Sequence, residues 1–163
     1  MINFRKQLRR HLLDLMMKNR GIFLISSPFQ ALNVIEAIDF YELLHAKVIV
    51  TRTKNRDSNK GVFEILEGND RVEIVILNVN NYFSALVYFT RTQLERNSLK
   101  KFYTHVFNGD YFDPVKYLLM HNYVGKEVSL VYLDDGNSTY EAVKYGRKLL
   151  GLHNRKAQVK FTV

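Results

Sequence analysis

The 163-residue chain is 47% hydrophobic, with ten Tyr and eleven Phe against two Pro and eight Gly. That is enough apolar material for the core of one domain, and it excludes a low-complexity or disordered chain. The absence of cysteine removes disulfides, thiolate nucleophiles and thiolate metal sites together, and no run of about twenty apolar residues reads as a membrane span. The net charge of +8 is uneven: residues 1–20 hold six basic side chains against Asp14 alone, or +5, so the remainder is only mildly basic. Such a field attracts acidic partners without choosing among them.

Residues 1–20 read as a basic amphipathic helix. Leu8, Leu12, Leu15 and Met16 recur at helical spacing, while Arg5, Arg9 and Arg10 occupy other faces. It suits packing on the flank of the domain; the alternative is contact with an anionic membrane surface. The start, Met1 to Lys6, lacks the apolar stretch and cleavage site of a secretory signal, so a cytoplasmic protein is expected, with peripheral attachment at the inner membrane as a further option.

From Gly21 to Val163 the chain reads as one Rossmann-like unit in which strand and helix patterns alternate. Gly21 to Ser26 is a buried-type strand. Ser27, Pro28 and Gln30 then supply an N-cap, a first-turn proline and the third member of a capping box. Ala31, Val34, Ile35 and Ile38 form the stripe of that helix. A strand at Lys47–Thr51 leads to a polar stretch, Arg52 to Lys60, and a helix through Val62, Ile65 and Leu66 that stops near Gly68. A strand at Arg71–Leu77 precedes one long helix, Tyr82 to Leu99, and a strand at Phe102–Phe107. Asp113 and Pro114 open the next helix. Val128–Leu133 is a strand closed by Asp134-Asp135-Gly136, and Ser138 to Glu141 form a second capping box. A last strand is expected at Gln158–Val163. The fold class is therefore α/β, a three-layer parallel sheet covered by helices on both faces, with right-handed connections.

In such sheets ligands bind beyond the carboxyl ends of the strands. Three strand ends carry candidate residues: Ser26-Ser27-Pro28-Phe29-Gln30, Asn108-Gly109-Asp110 and Asp134-Asp135-Gly136. An Asp at a strand end can act as general base, with Gly136 allowing close approach and the neighbouring carboxylate raising its pKa. The same pair could hold Mg²⁺, or form an ordinary turn leading into a helix. Ser27 to Gln30 is explained by capping, although backbone N–H groups there could also receive a ligand. Tyr111 and Phe112 suit the core or a sugar ring. The histidines at 11, 45, 105, 121 and 153 lack metal-ligand spacing. No Gly-rich phosphate loop follows the first strand, and the basic residues beyond the first helix are scattered, so no nucleic-acid partner is expected.

Ile25 to Asn33 after the first strand, combined with Leu133-Asp134-Asp135-Gly136 and the following Ser138 and Tyr140, resembles the bacterial sialyltransferases of lipooligosaccharide and capsular polysaccharide synthesis. The similarity covers about residues 21–150. It implies a GT-B architecture with no metal or other cofactor, an N-terminal domain for the acceptor glycan and a C-terminal domain for CMP-sialic acid. Asp134 or Asp135 would deprotonate the acceptor hydroxyl for an inverting attack. Gly136, Ser26 to Gln30 and Asn108 to Asp110 would line the acceptor cleft. The family's His-Pro motif is missing, since neither Pro28 nor Pro114 follows a histidine. The chain thus matches the N-terminal half, and a CMP-sugar donor would bind only with a C-terminal domain. Alone it is not expected to transfer sialic acid. Two other readings stay open: a non-enzymatic Rossmann-like interaction module, and a small Mg²⁺-dependent phosphoryl-handling domain. Self-association is also left open.

Overall fold

The computed structural model describes residues 19–52, 56–78, 82–110, 113–125 and 127–133. The expected basic helix within 1–20, the second capping box, the strand at Gln158–Val163 and the acidic turn Asp134–Gly136 lie, but for Asn19 and Arg20, outside them. Five strands form one parallel sheet: β1 (Arg20–Ile25), β2 (His45–Thr51), β3 (Val72–Leu77), β4 (His105–Asn108) and β5 (Ser129–Tyr132). Their spatial order is β3-β2-β1-β4-β5. The helices are α1 (Pro28–Phe40), α2 (Arg56–Leu66), α3 (Tyr82–Leu94), α4 (Arg96–Phe102) and α5 (Pro114–Tyr123). The expected α/β class is observed.

The apolar strands bury both faces because side chains alternate with a period of two. Phe23, Ile25, Val48, Val50, Phe107 and Val131 face α1 and α2, joining Val34, Ile38, Val62 and Leu66. Ile22, Leu24, Ile49, Val106, Leu130 and Tyr132 face the opposite layer, which α3, α4 and α5 cover. Phe23 and Phe107, on adjacent strands, stack with ring centroids 4.1 Å apart. Two cores thus sandwich the sheet. Helices change face when the chain, having laid β2 and β3 on one side of β1, crosses back to place β4 on the other.

Three boundaries differ from expectation. Arg56 to Lys60 belong to α2 rather than to a polar loop, since Asp57 suits a first turn and Val62 and Leu66 bury the helix behind it. The single long helix expected at Tyr82–Leu99 is two, broken at Glu95. Phe102 closes α4, and β4 starts only at His105. Leu99 and Phe102 pack on the helical layer, so tertiary burial, not β propensity, decides that segment.

Candidate functional site

The strand order reverses direction about β1, making the gap between β1 and β4 the topological switch point, where open α/β sheets leave a crevice at the strands' carboxyl ends. Leu24 is in register with Asn108, and Asn108 with Tyr132. The segments after β1 and β4 therefore leave the sheet side by side, and the structure brings Ser26–Gln30 together with Asn108–Asp110. Leu133, the residue before the acidic turn, donates its N–H to the Asn108 carbonyl at 3.0 Å. Asp134, Asp135 and Gly136 themselves lie outside the described residues.

The capping reading of Ser27 and Gln30 is half met. Pro28 opens α1, and Ser27 Oγ accepts from the Gln30 N–H at 3.3 Å. Gln30 does not return a bond to the Ser27 N–H. Its Oε1 accepts from the Ser26 N–H at 2.8 Å, and its Nε2 donates to the Gly109 carbonyl. Gln30 is 3% exposed, so both bonds are sheltered from water, where they specify geometry most strongly. The side chain is a clamp between the two loops at the switch point. Gly109 is what lets it pass, because a Cβ there would sit 2.6 Å from Gln30 Cδ. Phe29, by contrast, is exposed.

Lys116 is a second cross-tie. It is fully buried on the first turn of α5, and its Nζ donates to Ser26 Oγ at 2.8 Å. Asp113 Oδ2 lies 3.8 Å and Asp110 Oδ2 3.9 Å from the same nitrogen. Asp113 also caps α5, its Oδ1 accepting from the N–H groups of Val115 and Lys116. A buried ammonium is tolerated only with such charge and hydrogen-bond partners. Asn108 is 1% exposed; its Oδ1 accepts from the Asp110 N–H at 3.3 Å, and its Nδ2 has no partner. Among the described residues, then, the crevice carries two carboxylates, one ammonium, the Ser26 hydroxyl and an unused amide donor.

The net charge of that set is −1. It disfavours a phosphate and suits neutral, hydroxyl-rich ligands, whose O–H groups donate to carboxylates and accept from amides. Sequence reading found the two loops but not Lys116. The available signal was a lysine three residues after a capping Asp, inside the apolar run Val115 to Met120. Among the described residues no group of three His, Asp or Glu is placed to hold a metal ion.

A cavity of about 370 Å³ lies at the opposite, amino end of the strands, between Arg20, Lys47, Glu73 and Phe102. There Lys47 Nζ is 2.9 Å from Glu73 Oε1 and the Arg20 guanidinium sits 4.1 Å from the Phe102 ring centroid, while His45 Nδ1 is buried without a hydrogen-bond partner. The switch point, where two loops converge at the carboxyl ends of the strands, is the better candidate.

No protein-family model matches the sequence, and no curated protein matches it. Among solved structures, one described as a UDP-N-acetylglucosamine 2-epimerase from Listeria monocytogenes aligns at 18% identity with a TM-score of 0.42. The alignment covers 82% of this chain and 33% of that one, so the chain spans about a third of the length of that structure. The fold assignment rests on strand order and register. No described helix is long and apolar enough to cross a membrane.

Proposed function

We propose that the chain is the acceptor-side domain of a sialyltransferase-like GT-B glycosyltransferase of bacterial surface-glycan synthesis, with the acceptor glycan lodged in the crevice between β1 and β4. The observation that carries the reading is the meeting of Ser26–Gln30 with Asn108–Asp110 at the switch point, tied by Gln30 and Lys116. The motif after β1 and the acidic motif after β5 are the two elements of the resemblance, and their strands flank β4 on either side.

In this reading Asp134 or Asp135, directly beyond Leu133, takes the proton of the acceptor hydroxyl. That oxygen then attacks the anomeric carbon of the CMP-sugar with inversion, and CMP leaves. Ser26, Asn108 and Asp110 orient the acceptor's other hydroxyls. The net negative charge of the described crevice fits an acceptor better than a nucleotide, so the donor belongs to a second domain.

Saturation-transfer NMR on this chain tests the assignment, using two neutral glycans, lactose and N-acetyllactosamine, as acceptor probes and CMP as the donor probe. Signal transfer to a glycan, with none to CMP, is expected. Micromolar CMP binding, or silence from both glycans, overturns it. In a protein that also carries the donor half, normal turnover by both Asp134→Ala and Asp135→Ala would remove the base assignment.

A further inference from the structure

On the sheet face that α3, α4 and α5 cover, the apolar pattern stops short of the amino end. Ile22, Leu24, Ile49, Val75 and Leu77 belong to that core. Arg20, Lys47 and Glu73 stand two residues before Ile22, Ile49 and Val75, and therefore on the same face. His45 lies one step further back on β2, again on that side. The other face stays apolar over the same rows, through Ala46, Val72 and Ile74. A merely solvated strand end would be polar on both sides; here the change of chemistry is confined to one. Leu99 and Phe102 of α4 supply an apolar wall to the cavity of about 370 Å³ that these residues line.

The charges in this cleft are not matched one for one. Arg20 and Lys47 face Glu73 as the one carboxylate among the lining residues, and two cations less one anion leave +1. The carboxylate is paired with Lys47, at 2.9 Å. His45 Nε2 is 3.7 Å from Glu73 Oε2, beyond hydrogen-bond length, and its Nδ1 is buried with no partner. No hydrogen bond therefore fixes this imidazole, which is uncommon for a buried ring nitrogen. The Arg20 guanidinium sits over the Phe102 ring, and a guanidinium on a ring face still presents N–H donors at its rim, the edge that suits a carboxylate. Arg20 is in register with His45, and Lys47 with Glu73. Arg20 and Lys47 are thus diagonal neighbours, roughly 8 Å apart at their Cα atoms, a gap that two long side chains close around one anion. Glu73 is 48% exposed, so its carboxylate can turn out to water when another takes its place.

We propose that this cleft is a second binding site, for a small organic monoanion with an apolar body. The ligand's carboxylate replaces Glu73 at Lys47 and bridges to Arg20, while its body lies against Leu99 and Phe102. The net charge favours a single negative charge, and the apolar wall favours an organic ligand over an inorganic anion. Arg20 and Ile25 are separated by about 16 Å along β1, so the site stands at the far end of the sheet from the switch-point crevice and is independent of the proposed function.

4-Fluorobenzoate is the probe, followed by fluorine NMR and by amide shifts of the full chain, with 4-fluorobenzyl alcohol as its neutral counterpart and inorganic phosphate as competitor. Saturable binding of the carboxylate is expected with a Kd of about 1 mM, as suits a ligand of about ten heavy atoms. The amide shifts should cluster at Arg20, Lys47 and Leu99. Glu73→Gln removes the internal competitor with little change of shape and should tighten binding about tenfold, whereas Lys47→Met should weaken it by a similar factor. A pair that serves only to hold the strands would respond alike to both substitutions, so the opposite signs are diagnostic. Equal binding of the alcohol overturns the proposal, as do amide shifts at Gln30 and Gly109 in place of Arg20 and Lys47, or unchanged or looser binding by Glu73→Gln. Phosphate displacing the probe at a concentration below the probe's own Kd overturns it in favour of an inorganic-anion site. Absence of saturable binding to both the unaltered chain and Glu73→Gln overturns it outright.

Discussion

Gly109→Ala tests the clamp at the switch point. The added Cβ would lie 2.6 Å from Gln30 Cδ and 2.7 Å from Oε1, distances that real contacts do not reach. Gly109 is not among the residues of positive φ, so alanine carries no conformational penalty there and the clash is the whole effect. Gln30 can escape only by leaving its site. That strips the Ser26 N–H and the Gly109 carbonyl of their partners. An unsatisfied buried group costs about 1–3 kcal/mol, and forced overpacking costs a similar amount. A total near 3 kcal/mol follows. Urea unfolding reads it as a midpoint lowered by about 1–2 M with unchanged slope, for a slope near 2 kcal/mol/M. Gln30→Ala alone should cost about 2 kcal/mol through the same two orphaned groups. In that background Gly109→Ala should add less than about 0.5 kcal/mol, because nothing remains to collide with. Full additivity of the two substitutions would refute the clamp.

Lys116→Met removes a buried ammonium at nearly constant volume. The Asp110 and Asp113 carboxylates that lose it remain 33% and 23% exposed, so water recovers part of their charge. The expected loss is about 2 kcal/mol, below the cost of a fully buried orphan charge; urea unfolding measures it, and a neutral result would show that the pairing is not holding the loops. Alkaline pH supplies a third prediction. Burial pushes the Tyr103 phenol up, with Glu73 adding to it, and pushes the Tyr123 phenol higher still, with Tyr88 beside it. Folded-state values raised above the unfolded value of about 10 give stabilisation that is complete below that pH and lost as pH climbs past it. Ultraviolet titration should therefore show Tyr103 and Tyr123 ionising only with unfolding. Ionisation of all ten while the circular dichroism stays native would contradict the burial.

Much of this architecture is written in local patterns. The β-branched runs at Val48–Val50 and Val72–Ile76 announce strands, the first of them buried on both faces and the second at the sheet edge, and Pro28 and Pro114, each after a capping side chain, fix two helix starts to the residue. Those signals depend on neighbours in sequence, which is why they can be read. The break at Glu95 is different, because the helix pattern runs through it and only packing of Leu99 and Phe102 on the second core redirects the chain. Gln30 shows the same limit at the site. Its position is that of a capping-box glutamine, yet its partner is a carbonyl 79 residues away. Lys116 hides in an apolar run, because what makes it tolerable there, Ser26 and Asp110, is brought to it by the sheet.

The central strand β1 meets its two neighbours at very different times. Its β2 edge is closed by the next strand in the chain, whereas its other edge waits for His105, 84 positions after Gly21. A growing chain thus exposes Gly21 to Leu24 along one side through the synthesis of four helices. Pairing at that separation is slow, and bare strand edges recruit other chains meanwhile. Expression yield should therefore respond more to holdase chaperones than the finished domain's stability would suggest, and a fragment ending before β4 should aggregate although it contains three of the five strands.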